Sequence, residues 1–171
     1  MTEEDDIEVF PDGTARFAGR AFAVSLGRAG MVVDKHEGDG GTPVGTWPLR
    51  RVLYRPDRLA APACALPVTA IAMDDGWCDA PDHPAYNRPV RLPFPASHEV
   101  MWREDHLYDL VLVVGHNDDP PVPGRGSAIF LHPKRPDEGP TAGCIAFEPG
   151  DFLWLLAHLS PDSRLVTHAG A

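Results

Sequence analysis

A chain of 171 residues with a formal net charge of -10 is long enough to bury one core and repels nucleic acid on average. We therefore expect one domain over residues 1–171 and no nucleic-acid partner. No run approaches the roughly 20 apolar residues of a membrane-spanning helix, and the acidic start "MTEEDDIEVF" differs from the basic, then apolar opening of an export signal.

With 16 glycines and 19 prolines, the apolar residues fall into short runs, which favours a mainly β fold. In chain order, "ARFAGRAFAVSLGRAGMVV" reads as strands at 16–17, 21–26 and 31–33, an opening meander with a turn over 27–30. The segment "DKHEGDGGTPVGTWPLRRVLY" is a loop in which Gly38, Gly40, Gly41 and Gly45 serve backbone geometry, feeding a strand near 46–53. A Pro/Ala-rich connector leads to a strand at 68–73. "DDGWCDAPDHPAYNRPVRLPFP" is too rich in proline for regular structure and reads as a long loop. Ser97 caps a short helix over 98–103. "LYDLVLVVGHN" and "GSAIFLH" are nearly all apolar, so they form the middle of the sheet, buried on both faces. "CIAF" is the next strand. "EPGDFLWLLAHLSP" is the one main helix, with proline at its first position and a stop near Leu159; Phe152, Leu155, Leu156 and Leu159 share its core face.

Three cysteines, Cys64, Cys78 and Cys144, cannot all pair within one chain; in an exported protein Cys64 and Cys78 could pair, leaving Cys144. Cys144 follows Gly143 at the start of a strand, where a nucleophile's amides can open toward a substrate; a small buried hydrophobe is the competing reading. A thiol needs a base, and His132 ends the strand "SAIFLH", so two strand ends can bring both side chains to one rim. The N–H groups of Gly143 and Cys144 are the nearest oxyanion donors. Pro133 follows His132 and offers no side-chain acceptor, so a backbone carbonyl would orient the imidazole, with His116 or Asn117 from the neighbouring strand end as the second possibility. Trp77, Tyr86 and Asn87 wall a groove or simply pack. His116, His132 and Cys144 lack a close-spaced ligand pair, so no metal or other cofactor is expected.

The combination of "EGDGGTPVGTWPL", "AYNRPV", "GSAIFLH" and "PTAGCIAF" resembles the L,D-transpeptidase (YkuD-like) catalytic domain from about Val32 to Leu159. The resemblance implies a mainly β domain with a bent sheet or sandwich, one main helix after the cysteine, a thioester acyl-enzyme, peptidoglycan stem peptides as substrate, and a periplasmic or cell-envelope location. By position it makes Cys144 the nucleophile and His132 the base, with Thr141 and Gly143 as the rest of the motif. There are three departures. Ala142 stands where the family has a histidine, no arginine follows soon after the cysteine, and the segment between His132 and the motif is short, leaving the site more open. Arg125, Lys134 and Arg135 are candidates to anchor a substrate carboxylate instead. Transfer to an amine, L,D-carboxypeptidase hydrolysis, cleavage of existing cross-links and a non-catalytic wall-binding role all remain open at this level.

Overall fold

Alternating side chains build the first part of the chain. In β1 (Ile7–Val9), β2 (Thr14–Phe17) and β3 (Arg20–Ser25), Ile7, Val9, Ala15, Phe17, Phe22 and Val24 are buried between more exposed neighbours. These antiparallel strands therefore turn one face inward. Ala18 and Gly19, both at positive φ, close the tight turn between β2 and β3. The structure is a computed structural model that describes residues 3–137 and 139–170.

The opening meander is made of β1 to β3; β1 was not anticipated. β4 (Met31–Val32) leaves it and pairs in parallel with β5 (Thr42–Pro43), so the glycine loop between them is pinned at both ends. β6 (Gly45–Tyr54) follows, then β7 (Val68–Ala70), shorter than the 68–73 expected. Two expectations fail in the next region. Residues 74–95 do not form only a loop, and 98–103 do not form a helix. Instead β8 (Asp75–Cys78), β9 (Pro89–Arg91) and β10 (His98–Val100) make a separate sheet in the order β10-β8-β9. Its prolines sit at strand ends and edges, where no ladder N–H is needed, and pairing of His98 with Cys78 overrides the local cap signal of Ser97.

The central strands are β11 (Leu110–Val114), β12 (Phe130–Pro133) and β13 (Ile145–Phe147), followed by α1 (Pro149–His158) and β14 (Arg164–Thr167). Hydrogen bonding runs β11-β12-β13-β3-β2-β1-β14-β6, and β6 pairs back onto β11. The bent sheet thus closes on itself. β6 turns a corner by pairing Gly45 to Pro48 with β14 and Leu49 to Tyr54 with β11.

Inside the closed sheet lie Leu110, Leu112, Val114, Leu131, Ile145 and Phe147, capped by Phe152, Leu155 and Leu156 of the helix. Val111, Val113, Phe130 and Cys144 point to the outer face, under Trp77, Met101 and Tyr108. That second cluster explains why β11 is apolar at every position.

Candidate active site

Two neighbouring parallel strands carry the candidate pair. β12 and β13 align His132 with Ala146, and side chains alternate along a strand, so Cys144, two residues before Ala146, faces the same side as His132. Both line one cavity of about 370 Å³. Cys144 is 9% exposed, and its Sγ donates to the Ala128 carbonyl at 3.4 Å. His132 is buried, with Nδ1 2.9 Å from the carbonyl oxygen of Pro133. A carbonyl only accepts, so in the neutral ring Nδ1 carries the hydrogen and Nε2 the lone pair. The orienting partner is a backbone carbonyl, and His116 and Asn117 lie in another pocket.

Behind the imidazole, Tyr108 meets His132 edge-on with ring centroids 6.1 Å apart, and its hydroxyl donates to Glu99 at 2.9 Å. Burial pushes both the Tyr108 phenol and the Glu99 carboxyl above their ordinary values.

The motif loop is held by Thr141. Its hydroxyl donates to the Cys144 carbonyl at 2.6 Å and accepts the Gly143 N–H at 3.0 Å, while its backbone bonds Leu26 and Arg28. Of the two amides expected to serve an oxyanion, that of Gly143 is therefore taken by Thr141. Gly143 has φ 140°, and a Cβ there would lie 2.8 Å from the Gly41 carbonyl. Glycine precedes the cysteine because the glycine loop packs directly against the motif, a contact the sequence reading lacked. Thr42 reinforces it by donating to the Gly143 carbonyl at 2.9 Å.

Residues that sequence reasoning had not singled out complete the cavity: Arg28, Lys35, Glu37, Asp79, Glu99 and Tyr108 line it beside Cys144. They come from segments distant in sequence, and only the Lys35 region carried a signal. There Asp39 accepts from Lys35 and from the His36 and Gly41 amides. Burial opposes ionisation of Asp39, but these bonds outweigh it and lower its pKa.

Of the proposed carboxylate anchors, Arg135 lines the cavity and binds Asp105 at 3.3 Å. Lys134 pairs with Glu148. Arg125 pairs with Asp34 and lines a second pocket with Trp47, His116 and Asn117. There His116 stacks edge-on against Trp47 at 4.7 Å, and burial, aided by nearby Lys35, pushes its pKa down to about 4.

Trp77, Tyr86 and Asn87 are buried and do not line the cavity of Cys144. Asn87 accepts from the Trp77 indole and the Ala128 amide, each at 3.0 Å, and donates to the carbonyls of His116 and Asn117. It thereby fixes Ala128, whose carbonyl receives the thiol. Tyr86 donates to Glu37 at 2.8 Å. No disulfide joins Cys64 and Cys78. Among the described residues no group of three His, Cys, Asp or Glu gathers as a metal site, and no helix is long and apolar enough to cross a membrane.

The family model of the L,D-transpeptidase catalytic domain, YkuD, matches residues 3–167. No curated protein and no solved structure matches the chain. A mainly β closed sheet, a late helix and a match over nearly the whole length agree, and the chain belongs to the L,D-transpeptidase catalytic domain family.

Proposed function

We propose that the chain is a cysteine acyltransferase that acts on peptidoglycan stem peptides through a thioester on Cys144. The family at large implies a peptidoglycan enzyme of the cell envelope. The observation that carries the finer reading is the shared cavity of Cys144 and His132, with the imidazole turned by the Pro133 carbonyl so that Nε2 is its basic nitrogen.

In this reading His132 takes the thiol proton and the thiolate attacks the carbonyl before the terminal D-residue. The tetrahedral intermediate collapses as the C–N bond breaks, and the imidazolium returns its proton to the leaving amine. An acceptor amine then gives its proton to His132 and displaces the thiolate. Water in place of the amine makes the same thioester an L,D-carboxypeptidase intermediate.

Incubation with a tetrapeptide stem, followed by intact mass and assay of free D-alanine, tests this. The expected result is a tripeptidyl adduct on Cys144 with D-alanine released. His132→Ala should slow adduct formation by about 100-fold or more, the usual range for a lost general base. Adduct formation at the unmodified rate in that variant would remove His132 from the reaction. No adduct and no D-alanine with the intact thiol would remove the acyl-transfer reading.

A further inference from the structure

Arg28 lies in the turn after β3, with its backbone locked onto the cysteine motif: its N–H donates to the Thr141 carbonyl at 2.9 Å, and Gly27 forms a bridge with Thr141. Its side chain crosses Gly40, where a Cβ would come within 2.7 Å of the guanidinium carbon. Gly40, at φ 72°, leaves that track open without displacing the side chain. Arg28 lines the cavity that holds Cys144 and His132.

The chain carries 25 Asp and Glu against 15 Lys and Arg, so carboxylate partners are plentiful. The other cations of the cavity have theirs, Lys35 in Asp39 and Arg135 in Asp105. Among the described residues the Arg28 guanidinium has neither an ion pair nor a hydrogen bond. An exposed planar fork that lines the nucleophile's cavity without a protein carboxylate matches a carboxylate brought by the ligand.

We infer that Arg28 is the carboxylate anchor of the Cys144 cavity, holding a carboxylate of the acyl donor. The inference rests on the acyl-transfer reading above and gives the cavity a specificity residue in the turn after β3, in place of one following the cysteine. The donor stem offers two sources of that group, its terminal residue and the side chain of its diamino acid.

Calorimetric binding to the Cys144→Ala chain separates them, using the free-acid tetrapeptide stem and two analogues amidated at one carboxylate or the other. We expect one amide to bind at least 10-fold more weakly than the acid. Arg28→Ala should weaken the acid to the level of that amide, and Arg28→Lys should recover part of the difference; near-UV circular dichroism checks that the folds match. Equal binding of all three stems, no binding of any, or an acid preference that survives Arg28→Ala would overturn the anchor. Adduct formation on the unmodified chain is measured beside it. Adducts at equal rates from acid and amides would sink the anchor and leave acyl transfer standing. Arg28-dependent binding with no adduct would sink acyl transfer and leave the anchor.

Discussion

Thr141 and His116 each test a single side chain. The Thr141 hydroxyl is buried and bridges the Cys144 carbonyl and the Gly143 amide, so Thr141→Val leaves both without it at nearly constant volume. Unsatisfied buried groups of this kind cost about 1–3 kcal/mol. Urea unfolding should show a loss of that order; an unchanged midpoint would mean that the loop relaxes around the missing hydroxyl. His116 titrates near 4 in the folded chain against 6.5 for an unperturbed histidine. Between those values the unfolded chain binds the extra proton, so the histidine's contribution is fully present above about pH 6.5 and is lost as pH falls toward 4. The loss reaches about 3 kcal/mol at most. His116→Phe should therefore show a flatter decline in stability from pH 7 to 4.5 than the parent chain. Parallel declines would refute the burial-driven shift.

Among the elements, the small sheet of β8, β9 and β10 packs on the central strands through Trp77 and Met101, and the Asn87 side chain adds a cluster of hydrogen bonds between them. Asn87, at φ 56° and 5% exposed, bonds Trp77, Ala128, His116 and Asn117. Asn87→Ala orphans two donors and two acceptors and places alanine in a left-handed conformation that asparagine tolerates better. We expect about 3 kcal/mol or more of destabilisation in denaturant, together with slower thiol acylation, because the Ala128 carbonyl under Cys144 loses its support. A variant with parental stability and acylation would show that the hub is dispensable. This element was poorly legible in the sequence: proline-rich composition pointed to a loop, and three-residue strands are fixed by their partners, not by their own propensity.

For the whole molecule, the closed sheet depends on its last strand. β14 lies in parallel with β1 and antiparallel to β6, and Thr167 accepts the Gly45 N–H at 2.9 Å. A chain ending at Ser163 loses both ladders and the buried Leu165. It should lack a cooperative unfolding transition by circular dichroism; a sharp transition at the parental denaturant concentration would contradict closure through β14.

The sequence by itself determined the mainly β class, the buried strands β11 and β12, the late helix with its proline start, and the proximity of Cys144 to His132. Each of these rests on local patterning or on residues a few positions either side of one loop, where alternation, apolar runs and turn formers act directly. Only the tertiary structure decided that the sheet closes and that Gly143 must clear the Gly41 carbonyl. It likewise decided that Thr141 takes the Gly143 amide, that Arg28, Glu99 and Tyr108 border the cavity, and that Arg125 does not. These depend on contacts between segments many tens of residues apart, and chain-local propensity carries no information about which distant surfaces will be desolvated together.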